Sequence, residues 1–334
     1  MRTIPPDVPV AVLGAGALGT ALAHGLARAG RDVTLWGRDG AAMAGMEVTR
    51  QNARYLPGIV LDPRLHLTAD LAATRRAGLL VAAVPAQAAR RLLHQVAALG
   101  RAPVPVVTVA KGIELGTLCF MGEVIEACLS GFPAAILSGP SFAADIAQGL
   151  PTAVTLASQD LDQAQAIAAA LATPTLRLYH SSDMRGVEIG GAAKNVLAIA
   201  CGIASGCGLG ASASAALVAR AFAELARFGA AYGAQPQTLM GLSGLGDLVL
   251  TCNSPQSRNF ALGLALGRGE KLADILARGK LAEGAATARA LMQLAQARGV
   301  DMPVCAAVDH VLHAGGDVRG AIDALLSRPA KAEA

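Results

Sequence analysis

The chain has 334 residues, of which 53% are hydrophobic, and its formal net charge is +4. This length predicts two domains rather than one and is sufficient to bury substantial cores. The six cysteines show no CxxC or paired Cys/His spacing, and no basic block is interleaved with aromatic residues. We therefore expect no disulfide framework, no metal site and no nucleic-acid partner.

The high hydrophobic fraction comes mostly from alanine rather than from large aliphatic residues. The longest charge-free run, residues 195–219, is long enough to span a bilayer, but it contains glycines at 202, 206, 208 and 210. Because glycines interrupt helices, we expect a buried helix that bends and no membrane insertion. No apolar run precedes the first predicted strand, so we expect no signal peptide and a cytoplasmic protein.

A dinucleotide-binding pattern opens the chain: an apolar strand at 8–13, the sequence GAGALG at 14–19, and an Ala/Leu-rich helix. Gly14 permits a tight turn, Gly16 lets the backbone approach a pyrophosphate, and Gly19 lets the helix pack close to the sheet. The helix N-terminus then presents unsatisfied N–H groups to the phosphates. A second strand at 32–36 follows at the spacing of a βαβ unit.

The end of the second predicted strand bears on cofactor choice. NAD-specific sites usually place an acidic residue there for the ribose 2′-hydroxyl, whereas this chain has Arg38. An arginine can form charge-assisted hydrogen bonds with a 2′-phosphate, so we expect NADP to be preferred over NAD. Asp39 argues in the other direction, because an inward-facing carboxylate would repel that phosphate.

The following segments alternate between strand and helix patterns. We predict helices at 41–51, 86–99, 118–129, 141–149 and 160–172, a loop at 52–58, and strands at 78–84, 103–109, 134–137, 152–157 and 175–179. This alternation indicates a mostly parallel sheet covered on both faces. The strand ends at 84–87, 110–114 and 138–143 should lie at one edge of the sheet, where open α/β sheets bind ligands.

From about residue 182 the alternation stops and only helical patterns remain. They cover 187–207, 212–231, 243–250, 256–267, 284–299, 302–313 and 316–326. The fold class is therefore predicted to be α/β, with an N-terminal Rossmann-type, mostly parallel sheet domain at 1–182 and an all-α C-terminal domain at 183–334. A ligand cleft between two such domains is a common arrangement.

Two lysines stand out because only five of the 28 basic residues are lysine. Lys111 and Lys194 both lie in apolar, glycine-containing runs. A desolvated lysine can exchange a proton near neutral pH, whereas arginine cannot, so both lysines are candidates for catalysis.

Asp247 also lies in an apolar run, where a carboxylate is costly unless it is paired with a cation. A helix N-cap is the alternative role of this residue.

Seven motifs, in order, resemble the bacterial NAD(P)-dependent glycerol-3-phosphate dehydrogenases. They are GAGALGTALA at 14–23, NARYLP at 52–57, KGIE at 111–114, LSGPSFA at 137–143, GAAKNV at 191–196, GLGDLVLTC at 244–252 and SRN at 257–259. The resemblance covers nearly the whole chain. It implies reversible reduction of dihydroxyacetone phosphate to sn-glycerol 3-phosphate, supplying glycerophospholipid synthesis, a C-terminal domain like that of 6-phosphogluconate dehydrogenase, and a cytoplasmic homodimer.

The resemblance also implies roles for individual residues. Lys194 is similar to the family's proton donor and acceptor, Lys111 to its partner beside the substrate, and Asp247 to the carboxylate that holds these cations. The other implied substrate-binding residues are Gly139, Ser141, Asn195, Ser257, Arg258 and Asn259. With Arg38, the expected cofactor-binding residues are Gly14, Gly16, Ala17, Leu18, Gly19, Tyr55, Lys111, Ala143, Arg258 and Glu283.

The alternative enzyme is an NADP-dependent reductase of a 2- or 3-oxo acid, of the ketopantoate reductase type. Such two-domain reductases also use a Lys-Asn pair, but their substrate is a carboxylate. The phosphate clamp implied at 257–259 therefore distinguishes the two. A nucleotide-sensing protein without catalysis would keep the glycine motif but would not need both lysines.

Overall fold

A computed structural model describes residues 4–5, 7–278 and 282–329. Contacts within this part of the chain separate two compact units. The first extends to Glu114 and resumes from Cys119 to Glu188. The second comprises Leu115–Leu118 and the chain from Ile189 onward.

The first unit contains one large sheet and its covering helices. Its elements are β1 (Val10–Leu13), α1 (Ala17–Arg28), β2 (Val33–Trp36), α2 (Gly40–Thr49), β3 (Gln51–Asn52), β4 (Leu56–Val60), β5 (His66–Thr68), a 3-10 helix (Leu71–Arg76), β6 (Leu79–Ala82), α3 (Ala86–Ala97), β7 (Val106–Thr108), α4 (Met121–Cys128), β8 (Ala134–Ser138), α5 (Ala143–Gln148), β9 (Thr152–Ser158), α6 (Leu161–Leu171) and β10 (Leu176–Ser181). The sheet order is β10-β9-β8-β7-β6-β1-β2-β5, and only the β8–β9 pair is antiparallel. The predicted mostly parallel sheet is confirmed.

Strand β1 is an interior strand of the sheet, between β2 and β6. Its alternate side chains enter two separate apolar cores: Val10 and Val12 enter one, Ala11 and Leu13 the other. Both faces of the sheet are therefore covered, as predicted. The chain continues from β1 to β2 on one side and from β6 to β7 on the other, so the ends of β1 and β6 form a topological switch point, where open α/β folds bind ligands.

The region after β2 differs from the sequence prediction. The predicted helix at 41–51 ends at Thr49, and Arg50 adopts a left-handed conformation with φ of 51°. The predicted loop at 52–58 is wrong, because β3 and β4 pair there as a small antiparallel sheet. Strand β5 and the 3-10 helix were also not predicted. Each of these elements is too short to show a clear hydrophobic period.

Every secondary-structure element in the described part of the second unit is a helix, which confirms the predicted all-α half. Its elements are most of α7 (Met184–Gly206), α8 (Gly210–Ala231), α9 (Pro236–Met240), a π-helical turn (Leu242–Gly246), α10 (Asp247–Cys252), α11 (Arg258–Gly267), α12 (Leu272–Ala277), α13 (Glu283–Ala297), α14 (Pro303–His313) and α15 (Val318–Leu326). Helices α9 and α12 were not predicted, since fewer than two turns give no readable periodicity.

The charge-free run at 195–219 forms parts of two helices, as the separate helical patterns at 187–207 and 212–231 predicted, and not one helix that bends. Helix α7 ends at Gly206 and α8 begins at Gly210, with Gly208 and Gly210 at φ of 71° and 86°. Among the described residues, α7 is the one helix long and apolar enough to cross a membrane. Its apolar window is entirely buried within the protein, as expected for a core helix.

Helices α7 and α11 approach each other closely through glycines. A Cβ atom on Gly202 would lie 2.8 Å from the backbone N of Leu264, and one on Gly263 would lie 2.9 Å from the backbone N of Ile203. Any larger residue at these positions would force the two backbones apart. This contact fixes α11 against the helix that carries Lys194.

Glu188, on α7, is a buried carboxyl whose Oε1 accepts a hydrogen bond from the backbone N–H of Gly122 at 2.7 Å. Burial raises the pKa of this carboxyl to about 7 from the ordinary value of 4.5. Since the folded-state pKa lies above the unfolded one, the stability associated with this proton is complete below pH 4.5 and is lost as the pH rises through 7.

Between pH 4.5 and 8, the wild type should therefore lose on the order of 3 kcal/mol of stability relative to Glu188→Gln. The glutamine keeps an oxygen that can accept the Gly122 N–H but does not ionise. Urea unfolding of both proteins across this pH range measures the difference. Stability curves that run parallel would contradict the assignment.

Candidate active site

The glycine-rich turn after β1 has the geometry that its glycines permit. Gly14 has φ of 130°, and a Cβ atom there would lie 2.9 Å from the carbonyl carbon of Ala83. A Cβ atom on Gly19 would lie 2.9 Å from the Ala83 Cβ, whereas one on Gly16 would meet nothing within 4 Å. The turn is thus tight at Gly14, closely packed at Gly19 and open at Gly16.

The first turn of α1 follows directly and has no side-chain cap. Gly16 is the N-cap residue, and the first intrahelical hydrogen bond runs from the Thr20 N–H to the Gly16 carbonyl at 2.9 Å. The backbone N–H groups of Ala17 and Leu18, both half-buried, precede that bond. Such groups, together with the helix dipole, favour an anion at this position.

Two charged residues that bear on cofactor choice, Arg38 and Asp39, follow β2 and have different surroundings. Arg38 is exposed, whereas the Asp39 carboxylate caps α2 by accepting the Ala42 N–H at 3.1 Å. The carboxylate that could have repelled a 2′-phosphate is therefore committed to a helix N-terminus. Tyr55, the other predicted cofactor residue nearby, is half-exposed, and its ring centroid lies 5.0 Å from the Arg54 guanidinium carbon.

Three predicted substrate residues meet at the ends of β7 and β8. The Lys111 Nζ donates a hydrogen bond to the Gly139 carbonyl at 2.8 Å, and the Ser141 hydroxyl donates to the same oxygen at 3.0 Å. Gly139 has φ of 142°, and a Cβ atom there would lie 2.9 Å from the Val154 Cα. Ala143, predicted to contact the cofactor, begins α5 immediately after this loop.

Two side chains of α3 hold the loop that carries Lys111, and neither was predicted as a site residue. The Gln87 Nε2 donates to the Ile113 carbonyl at 2.8 Å. The Arg90 guanidinium binds the Glu114 carboxylate through Nε and Nη2, at 2.9 and 2.7 Å. The predicted grouping of the strand ends accounts for Gln87, but nothing in the sequence marked Arg90.

In the second unit, Lys194 and Asp247 form a buried ion pair. Lys194 is 6% exposed and Asp247 is 1% exposed. The Lys194 Nζ donates to Asp247 Oδ1 at 2.5 Å and to the Thr251 hydroxyl at 2.8 Å, and Thr251 Oγ1 lies 3.3 Å from the same carboxylate oxygen. The alternative role of Asp247 as an N-cap is wrong, because Gly246 is the N-cap residue of α10 and Asp247 is the first residue of the helix. Thr251 is a member of this cluster that sequence reasoning missed.

A π-helical turn positions Asp247, where the sequence predicted an ordinary helix at 243–250. The Gly246 N–H bonds to the Gly241 carbonyl, five residues back, at 3.0 Å. A Cβ atom on Gly244 would meet the Leu239 backbone, and one on Gly190 would lie 2.5 Å from the Ser243 carbonyl oxygen. Glycines therefore allow this turn to pack against α7. Such turns occur frequently at functional sites.

The predicted phosphate clamp lies at the start of α11. The buried Ser257 hydroxyl caps this helix by accepting the Phe260 N–H at 3.2 Å, and Arg258 is exposed. The Asn259 amide donates to Asn195 Oδ1 at 2.9 Å. Its oxygen accepts the Gly284 N–H at 3.0 Å, next to the half-buried Glu283 at the start of α13. Asn195, Asn259 and the start of α13 are thus brought together.

Two buried cysteines, Cys201 and Cys252, contact each other, and Cys252 lies next to the Lys194–Asp247 pair. The hydrogen bond with Cys201, and then burial, raise the pKa of the Cys252 thiol well above its usual value. Cys252 is therefore a neutral packing residue and not a thiolate nucleophile. Within the described ranges, no group of three or more His, Cys, Asp or Glu side chains is placed to hold a metal ion.

The chain matches two sequence models of one protein family. Residues 9–164 match the NAD-dependent glycerol-3-phosphate dehydrogenase N-terminus, and residues 183–323 match the C-terminus of the same family. A glycerol-3-phosphate dehydrogenase [NAD(P)+] from Azorhizobium caulinodans is 60% identical over 97% of this chain and 98% of that protein. A crystal structure of glycerol-3-phosphate dehydrogenase from Coxiella burnetii has a TM-score of 0.92 at 38% identity, covering 97% of this chain and all of that one.

A ketopantoate reductase of the PanE/ApbA family, from Ralstonia eutropha, is also similar in structure. Its TM-score is 0.58 at 19% identity, covering 95% of this chain and 99% of that one. At this identity the likeness extends to the fold alone.

Proposed function

This chain belongs to the NAD-dependent glycerol-3-phosphate dehydrogenase family, and on that premise we propose that it reversibly reduces dihydroxyacetone phosphate to sn-glycerol 3-phosphate with NAD(P)H. The observation that carries the proposal is the buried Lys194–Asp247 ion pair, because an ammonium group beside a carboxylate in an apolar core is costly without a function. The product would supply glycerophospholipid synthesis. The similarity in sequence supports this substrate over a 2- or 3-oxo acid.

Lys194 is the proposed proton donor and acceptor. Bound NAD(P)H supplies the hydride that reduces the substrate ketone. The alkoxide oxygen then takes a proton from the Lys194 ammonium, and in the reverse direction the neutral amine removes that proton from the alcohol. Asp247 and the Thr251 hydroxyl hold the Nζ in position. Lys111 contributes positive charge near the developing oxyanion.

The first unit supplies the proposed site for the cofactor pyrophosphate, within a domain that we place at residues 1–182. The open backbone at Gly16 and the uncapped first turn of α1 suit a pyrophosphate, as do the N–H groups of Ala17 and Leu18. The remaining proposed cofactor residues are Gly14, Gly19, Arg38, Tyr55, Lys111, Ala143, Arg258 and Glu283. We propose that NADP is preferred over NAD, since the Asp39 carboxylate is committed to capping α2.

The second proposed domain, residues 183–334, binds the substrate phosphate and forms a homodimer in the cytoplasm. The start of α11 offers its dipole and the exposed Arg258, with Ser257, Asn259 and Asn195 around it; Gly139 and Ser141, in the first unit, are also proposed to bind the substrate. In α8, residues 210–220 include no buried residue, whereas Leu225 and Phe228 are fully buried. The uncovered N-terminal half of α8 supports the homodimer, which light scattering would test.

The direct test is an assay that follows NADPH oxidation by the purified protein with dihydroxyacetone phosphate. Ketopantoate, offered at the same concentration, is the matched control. Rapid oxidation with the phosphorylated ketone alone is the expected result. Activity with ketopantoate alone would contradict the proposal and favour the alternative enzyme.

Arg258→Ala should raise the KM for dihydroxyacetone phosphate by at least about tenfold, since a charge-assisted hydrogen bond to phosphate is worth roughly 1.5–3 kcal/mol. The kcat should fall less, unless phosphate binding also drives the chemical step. Steady-state kinetics measures both. Arg268→Ala, at the other end of α11, is the control, and kinetics unchanged by Arg258→Ala would remove the clamp.

Arg38→Ala should shift cofactor preference toward NADH. Removing the guanidinium takes away charge-assisted hydrogen bonds that only the 2′-phosphate of NADPH can accept. The kcat/KM for NADPH should fall about tenfold or more, with little change for NADH. Measuring both cofactors with wild type and variant checks this. A wild-type preference for NADH, or an unchanged ratio, would make Arg38 an ordinary surface charge.

A further inference from the structure

Asn52 is a buried polar residue within an otherwise exposed segment. Its exposed fraction is 4%, although both Gln51 and Ala53 are exposed. Its Nδ2 donates to the Ala15 carbonyl at 3.0 Å and to the Thr20 hydroxyl at 2.8 Å. Its Oδ1 lies 3.3 Å from the Tyr55 backbone N, within hydrogen-bonding range. One amide thus joins the β3–β4 segment to the glycine-rich turn.

The bond to Ala15 affects the orientation of the glycine-rich turn. The Ala15 carbonyl and the Gly16 N–H belong to one planar trans peptide unit, in which the two groups point in opposite directions. Holding the Ala15 oxygen on the Asn52 side therefore aims the Gly16 N–H away from Asn52. Gly16 is also the position where the surrounding space is open.

The bond to Thr20 restrains the other end of the same turn. The Thr20 N–H makes the first intrahelical hydrogen bond of α1, to the Gly16 carbonyl. Asn52 therefore contacts the residue just before the N-cap and the residue that closes the first helical turn. The contact with Thr20 is fully buried, since Thr20 is 0% exposed, and the contact with Ala15 is partly buried.

We propose that Asn52 is a positioning residue for the cofactor pyrophosphate, acting through the glycine-rich turn without touching the cofactor. This rests on the proposed dinucleotide site. The turn faces the part of the cofactor that NAD and NADP share. Loss of Asn52 therefore weakens both cofactors equally, whereas loss of Arg38 changes their ratio.

Asn52→Asp is the sharpest variant, because it preserves shape while replacing the donor amide with a carboxylate. Aspartate cannot donate to the Ala15 carbonyl, and its charge competes with the phosphates for the α1 N-terminus. Cofactor KM should rise about threefold to tenfold with NADH and NADPH alike, the range expected for losing one neutral hydrogen bond. The kcat at saturating cofactor and the KM for the ketone substrate should stay within about twofold.

Ser158→Ala is the matched control, since Ser158 is equally buried in the same unit and donates to the Ala134 carbonyl at 3.0 Å, in β8. It should lower the melting temperature without changing cofactor KM. Thr20→Val, which removes only the hydroxyl, should give a smaller increase in cofactor KM than Asn52→Asp. It serves as the second variant if Asn52→Asp does not fold.

Calorimetry with ADP-ribose provides a readout that needs no turnover, because this fragment carries the pyrophosphate and lacks the nicotinamide. Its Kd should rise by the same factor as the cofactor KM. If the protein binds ADP-ribose but does not reduce dihydroxyacetone phosphate, the proposed reaction fails while the role of Asn52 is still tested. Unchanged ADP-ribose affinity in Asn52→Asp and Thr20→Val, or an altered NADPH to NADH ratio, would overturn the proposal.

Discussion

Lys194→Ala is expected to lower kcat by about 10²–10⁴-fold, the usual contribution of general acid–base catalysis. The substitution removes the proton source but leaves the residues of the dinucleotide site intact. The Kd for NADPH, measured by fluorescence titration, should therefore stay within about twofold of the wild type. Single-turnover kinetics with saturating cofactor would show that the loss lies in the chemical step.

Two further variants make this result specific. Lys194→Arg keeps a positive charge beside Asp247 but cannot exchange a proton near neutral pH, so it should be nearly as inactive as alanine. Lys271→Ala, at an exposed lysine, should have wild-type activity. If Lys194→Ala keeps more than about a tenth of wild-type kcat, the proton-transfer role is wrong.

The long elements of the fold were predictable because each displays its own period or composition. Strand β1 is buried on both faces and therefore reads as a continuous apolar run, and α7 is long enough to be recognised despite its four internal glycines. Strands β3 and β4 were missed because β3 has only two residues and β4 contains Pro57 and Gly58, which are typical of a turn. The break between α7 and α8 was predicted by the gap between the helical patterns at 187–207 and 212–231, but the sequence did not reveal which of the glycines there adopts the left-handed conformation.

The site was only partly predictable, for a different reason. Lys194 and Asp247 were found because a charge in an apolar run is conspicuous. Thr251 was not, because a threonine in a helix has no distinctive sequence context; only its position four residues after Asp247 puts both on one face. Asn52 contacts Ala15 across 37 residues of chain, a pairing that local sequence cannot indicate.

The second large effect concerns the stability of the buried Lys194–Asp247 pair. Asp247→Leu leaves the Lys194 ammonium in an apolar site without its carboxylate, and Lys194→Met leaves the carboxylate without its cation. Breaking a buried ion pair from either side typically costs about 3–5 kcal/mol. Each single variant should therefore have a clearly lower urea midpoint than the wild type, followed by fluorescence and circular dichroism.

The double variant Lys194→Met/Asp247→Leu should recover most of that loss, although it should be inactive. Replacing both charges with apolar groups of similar volume removes the desolvation cost, so such replacements are often neutral or stabilising. The coupling energy from the double-mutant cycle should thus be several kcal/mol and opposite in sign to the two single losses. Stability losses that simply add would show that the two charges do not stabilise each other. Recovered stability without activity would show that the pair is maintained for catalysis rather than for folding.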